Sequence, residues 1–272
     1  LKEFVEKYHL NLSQDGTFNP RDIFGSHDDS DHVYNTPRAW YMARCLNPST
    51  MNWDGSDADF TPLSDDIPWC MVPEKKVTIE DVKYVLSSHF QGTPYDPYAS
   101  YGDKSMKGAY RAIGVNRTDF LGIIQMRPDA GEDSRAIEWV AFASNVFNTT
   151  APFYTDVEKV PEYFSNTTGD ASTDNFYWAS RMIAAMADAS YSKSIFHIER
   201  YQERVMSKGH EYINQYDELL EKESNAEKRM QLRQEANEKI ADMVKKETQD
   251  TLNKVLYELS NQMKNAYSRS DA

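Results

Sequence analysis

The chain has 272 residues, a formal net charge of −13, 40% hydrophobic residues and 12% aromatic ones, enough for one large domain or two small ones with a substantial core. That acidity argues against nucleic acid and anionic membranes as partners, because both repel a negative surface. The longest apolar stretches, Met182–Ala187 and Ala136–Ala143, fall far short of the ~20 residues a membrane span requires.

The N-terminal segment Leu1–Tyr8 reads as an amphipathic helix entered without a cap. Leu1 is not an initiator methionine and no signal-peptide pattern follows, so the expectation is that a segment upstream has been removed. The next 60 or so residues are loop-rich. Within them Thr36-Pro37 predicts the N-cap and first turn of a short helix that closes at Asn47-Pro48. Thr78-Ile79-Glu80-Asp81 resembles a capping box and opens a second helix, with Val82, Val85, Leu86 and Phe90 at helical spacing. Gly92-Thr93-Pro94 ends it.

Strand signals concentrate at Ala112–Val115, Phe120–Met126 and Ile137–Ala143, the last two reading as a hairpin across Pro128-Asp129-Ala130-Gly131. Such apolar runs suggest a sheet covered on at least one face by another layer. From Thr173 the pattern turns helical. Phe176–Ala187 is apolar all round, as in a buried helix, and two longer stretches, from Tyr191 to Glu221 and beyond Lys228, predict a pair of long antiparallel helices.

Few residues point to chemistry on their own. Cys45 and Cys70 cannot build a disulfide framework and are expected to be buried small hydrophobes, with no nearby histidine or basic cluster. The loop Ser26-His27-Asp28-Asp29-Ser30-Asp31-His32 offers metal-ligand residue types, but without the rigid spacing such sites use, so a solvated turn is expected and no metal or cofactor. Arg38, at a helix N-terminus, could clamp a carboxylate or hold a catalytic group, or could equally make a surface salt bridge. Asn116 and Arg117 lie where a strand meets a turn, and local turn chemistry explains them as well.

Six blocks taken in order resemble the dipeptidase A (PepD-type) family of cysteine peptidases in the N-terminal-nucleophile superfamily. They are Tyr34–Trp40, Gly92–Asp96, Arg111–Thr118, Gln125–Pro128, Pro152–Thr155 and Ser172–Ala179. The resemblance implies an α+β fold forming part of a four-layer αββα sandwich. Residues 1–172 would belong to the peptidase domain and residues 173–272 to a helical extension.

It further implies dipeptide hydrolysis by an N-terminal cysteine whose own α-amine, with a pKa near ~8, serves as base. Arg38 would be the catalytic-site residue; Asn116 and Arg117 match a family block that does not itself give their role, and substrate binding is the expectation set against a structural turn. Leu1 carries no thiol, so the nucleophile is expected upstream, in a missing N-terminal half, and the isolated chain is expected to be inactive and to self-associate. A cytoplasmic location is expected. The alternative is a non-enzymatic interaction or oligomerisation domain built on the C-terminal helices.

Overall fold

The computed structural model describes residues 1–12, 16–26 and 28–266. Two compact units divide the chain, Leu1–Ile113 and Gly114–Ala272. Among the described residues the first carries the helices α1 (Lys2–Lys7), α2 (Pro20–Phe24), α3 (Asp31–Tyr34), α4 (Thr36–Leu46) and α5 (Ile79–Leu86). The second carries the strands β1 (Phe120–Met126), β2 (Ala136–Phe142) and β3 (Ala151–Tyr154), then α6 (Glu162–Ser165), α7 (Phe176–Ala189), α8 (Tyr191–Lys222) and α9 (Ala226–Ser260). The described residues thus form an α+β chain with one small antiparallel sheet. None of their helices is long and apolar enough to cross a membrane.

In the first unit an aromatic core of Trp40, Tyr41, Trp53, Ile67 and Phe90 replaces extensive secondary structure. Its polar edges are tied to loop carbonyls. Trp40 Nε1 donates to Phe60 O at 3.1 Å, Tyr41 OH to Gln91 O at 2.9 Å and Trp53 Nε1 to Asn47 O at 2.7 Å. The expected capping box is present: Thr78 Oγ1 accepts from the Asp81 amide at 3.1 Å and Asp81 Oδ2 from the Thr78 amide at 3.0 Å.

Two details differ from expectation. Thr36 lies inside α4 and is buried, and the N-cap is Asn35, whose side chain is spent elsewhere. Cys70 is exposed, because the run around it forms no regular element: Ile67 faces the core while Trp69 and Val72 face out.

In the second unit β1 and β2 form the expected hairpin, Phe120 opposite Phe142 and Met126 opposite Ala136. Ala112–Val115, expected to be a strand, is irregular, and the third strand is instead Ala151–Tyr154. Pro152 hid it, since proline argues against a strand interior. The ring is tolerated because β3 is an edge: Pro152 has the same parity as Tyr154, whose amide points away from β2. There the side chain of Asn237 on α9 takes the place of a neighbouring strand. Its Oδ1 accepts from the Tyr154 amide at 2.9 Å and its Nδ2 donates to Tyr154 O at 3.0 Å. Asn237→Leu leaves both buried groups unpaired and should cost about 2–4 kcal/mol, read as a lower urea midpoint at unchanged slope.

α8 and α9 run antiparallel, as Tyr201–Thr248, Arg204–Glu247 and Tyr216–Glu235 pairings require. Ile198, Tyr201, Val205, Gly209, Ile213, Tyr216 and Leu220 recur every three or four residues along the buried side of α8, and Ala236, Ile240, Val244 and Val255 are buried on α9. The sheet's inner face, Ile137, Trp139 and Ala141, is fully buried. Along β1 its other face is open: Phe120, Ile124 and Met126 are 53%, 68% and 62% exposed, and β1 has no strand on its outer side among the described residues, whereas Phe142 at the end of β2 packs against Phe164, Phe176 and Tyr177.

Candidate active site

The features most suited to chemistry lie at the junction of α3 and α4. The chain turns at Asn35 (φ −110°, ψ −57°) between the two helices, and its side chain sits in a short relay. Ser26 Oγ donates to Asp31 Oδ2 at 2.7 Å, Asn35 Nδ2 donates to Asp31 Oδ1, and Asn35 Oδ1 accepts from Arg38 Nη2 at 2.7 Å. Arg38 Nε donates to Tyr34 O. The guanidinium is therefore held on two edges within the first turn of α4, and the helix itself is fixed by Trp40 and Tyr41 in the core. This is a preorganised cation.

A second guanidinium stands beside it. Arg111 lies over the ring of Tyr34, 5.8 Å from its centroid, and its amide donates to Val33 O at 3.0 Å. Its neighbour Tyr110 packs with a tilted ring against Tyr95 at 4.7 Å, with Tyr95 edge-on to Trp40 at 6.1 Å, so the backbone there is anchored in the core. Burial first, and the positive charge of Arg111 second, hold the Arg38 pKa below the ordinary guanidinium value. Among the described residues no carboxylate forms an ion pair with either arginine.

The turn Gly92–Asp96 is tied to the α4 side of the core through Tyr95, and its last residue forms a pair with His89 that sequence spacing did not single out. His89 Nδ1 and Asp96 Oδ1 lie 2.9 Å apart, both side chains about nine-tenths buried. The Tyr98 ring packs edge-on against the imidazole at 5.1 Å. Asp96 Oδ1 also accepts the Tyr98 amide at 2.9 Å, so the dyad pins this turn. Phe90 just before it has φ +67°, a conformation a bulky residue adopts only where packing enforces it, and Phe90 is fully buried.

Asn116 and Arg117 occupy an exposed turn of the second unit, closed by Thr118 Oγ1 donating to Val115 O at 2.9 Å. Arg38 belongs to the first unit. Within the acidic loop, His27 lies outside the described residues. Asp28 accepts from the amide of Ser30 at 3.0 Å, Asp31 is engaged by Ser26 and Asn35, and His32 pairs with Asp65 at 3.0 Å. Among the described residues no group of His, Cys, Asp and Glu side chains is arranged to hold a metal ion. Cys45 is half-buried against the aromatic core, and burial pushes its thiol pKa up, with Tyr41 and Arg44 only partly opposing.

Comparison with known proteins covers the whole of this region. Residues 1–204 match the family described as Peptidase family C69. The chain belongs to Peptidase family C69. The matched part of this C69 chain includes Arg38, Arg111, Asn116 and Arg117 and ends within α8.

Among curated relatives, a protein named "Dipeptidase" from Bifidobacterium longum (strain NCC 2705) is 45% identical over 310 aligned residues, covering 100% of this chain and 58% of that protein. One named "Probable dipeptidase A" from Streptococcus pyogenes serotype M18 (strain MGAS8232) is 44% identical over 272 residues, covering 100% of this chain and 55% of that protein. One named "Dipeptidase A" from Lactobacillus helveticus is 32% identical over 258 residues, covering 95% and 52% respectively. The C69 chain therefore spans about half the length of these relatives.

Proposed function

We propose that this chain is the C-terminal part of a thiol-dependent dipeptidase. The reading rests above all on C69 membership, with 44–45% identity to proteins named dipeptidases along the whole chain. In this reading residues 1–172 contribute to an αββα sandwich, residues 173–272 add its helical region, and the sulfur nucleophile lies in a preceding half. Two features favour it. Cys45 serves packing and is disfavoured as a thiolate by burial. The exposed apolar face of β1 is a surface a second sheet would cover, and it borders a depression of about 310 Å³ lined by Phe120, Val140, Phe142 and Phe153.

Arg38, fixed at the head of α4, would lie beside the reacting carbonyl and stabilise charge there. Asn116 and Arg117 would meet substrate from their exposed turn. The products would be free amino acids, and the setting the cytoplasm.

The test compares the full gene product with the isolated 272-residue chain. Dipeptide hydrolysis is expected from the former alone, and Arg38→Ala should lower kcat/KM of the full protein about 10²–10³-fold. Turnover by the isolated chain would refute an external nucleophile, and Cys70→Ala would then identify the exposed thiol as its source. With the sheet face uncovered, the isolated chain should self-associate. A sharp monomer peak in size-exclusion chromatography at high concentration would count against that.

A further inference from the structure

We propose that Arg111 receives the free α-carboxylate of the dipeptide, beside Arg38; this rests on the dipeptidase reading above. The two guanidinium groups flank one residue, Tyr34, Arg38 bonding its carbonyl and Arg111 covering its ring. Like charges gathered at one place call for an anion. In a chain with 43 carboxylates against 30 lysines and arginines, such an anion is usually at hand. Arg44, Arg127, Arg181, Arg204, Arg229 and Arg233 each pair with an Asp or Glu. Arg38 and Arg111 pair with none among the described residues, and Asp31, the acid nearest to Arg38 in sequence, is engaged by Ser26 and Asn35.

The two arginines are differently committed. Arg38 spends two of its edges on Tyr34 and Asn35, while among the described residues the Arg111 guanidinium makes only its ring contact and keeps its planar fork of donors for a ligand. Its backbone is nonetheless rigid, through the Val33 hydrogen bond and Tyr110 packing. A dipeptide presents a matching pair of demands. Its carboxylate carbon lies three bonds from the scissile carbonyl carbon, so a cation at the developing oxyanion needs a second cation alongside to hold the carboxylate. An arginine fork binds that group through two parallel hydrogen bonds. Held this way, a dipeptide is told from a longer peptide by where its chain ends.

The test uses the full gene product with a dipeptide analogue in which a methyleneamine replaces the peptide bond, and the same analogue as its C-terminal carboxamide. Titration calorimetry should give about tenfold to a hundredfold tighter binding of the carboxylate form. Arg111→Gln should abolish that preference and raise KM for dipeptides at nearly constant kcat, and Arg111→Lys should recover part of it. Equal binding of the two forms by the wild type overturns the assignment, and would fit a protein carboxylate outside this chain occupying the site. A carboxylate preference that survives Arg111→Gln also overturns it, and leaves the dipeptidase reading standing if hydrolysis persists. Arg111-dependent carboxylate binding without hydrolysis keeps the anion site and removes the peptidase reading instead.

Discussion

Asp133→Ala should destabilise the Gly114–Ala272 unit by about 2–3 kcal/mol at neutral pH, because it removes the carboxylate two arginines share and leaves the buried Arg233 with Asp156 as its remaining acid. Asp133 sits in the 3-10 turn Glu132–Ser134 between β1 and β2. Its carboxylate accepts from Arg229 Nε at 2.8 Å and Nη2 at 2.6 Å, and from Arg233 Nη1. Arg233 is only 4% exposed and otherwise reaches Asp156, through O at 2.9 Å and Oδ2 at 3.1 Å. One carboxylate therefore fastens the hairpin connection to two successive turns of α9. Asn at this position keeps an acceptor but loses the charge, so Asp133→Asn should fall between wild type and Asp133→Ala.

The same group gives the stability a pH dependence of known sign. Hydrogen bonding to Arg229, reinforced by the charges of Arg233 and Arg229, holds the Asp133 pKa below the ordinary aspartate value near ~3.9. A depressed carboxylate pKa contributes stability that is complete above the unfolded value and is lost as pH falls through the folded one. Glu247 on α9 adds to the effect. Burial raises its pKa, but Lys208 at 2.5 Å and Arg204 at 2.8 Å outweigh that and lower it overall. Wild-type stability should therefore drop below about pH 4, and the gap between wild type and Asp133→Ala should narrow there. Urea midpoints at neutral and acid pH decide it: an unchanged gap would mean that Asp133 acts through packing alone.

How far the sequence carried the fold depended on whether a signal was local. The Thr78–Asp81 capping box, the Phe120–Phe142 hairpin and the long pair α8 and α9 were legible because three-residue spacing, alternation and helical period are all properties of neighbouring residues. β3 was not, since its ladder partner on one side is β2 and on the other a single amide, Asn237, more than eighty positions away in the chain. The candidate site divides the same way. Arg38 was visible because Pro37 marks a helix start. Arg111 opens a recognisable block, yet its setting over Tyr34 comes from a loop returning to α3, and nothing in the residues between them encodes that return. The His89–Asp96 dyad spans seven residues, but its meaning as the pin of a turn depends on Phe90 taking a left-handed conformation inside the aromatic core.

Gly209 on α8 carries the other large effect, and its sign is opposite to the local rule. In a helix interior glycine is worse than alanine by about 1 kcal/mol, so Gly209→Ala would ordinarily stabilise. Here a Cβ would lie 2.6 Å from Cδ and 2.9 Å from Cγ of Pro152, whose ring is rigid and whose strand is locked between β2 and Asn237. Neither side can yield cheaply, and overpacking of this kind costs about 1–3 kcal/mol, more for a branched side chain. Gly209→Ala should therefore lower stability by about 1–2 kcal/mol net, and Gly209→Val by about 3 kcal/mol or more, measured by thermal or urea unfolding. Gly169, whose Cβ would meet nothing within 4 Å, is the control and should accept alanine within about 0.5 kcal/mol. Pairing Gly209→Ala with Pro152→Ala removes the ring carbons that collide, so the double variant should recover about 1 kcal/mol or more relative to the sum of the single ones. If Gly209→Ala instead raises the midpoint, or Pro152→Ala rescues nothing, then α8 and β3 are not held at the separation that makes glycine necessary, and the close contact of helix on strand is not what sets this unit's stability.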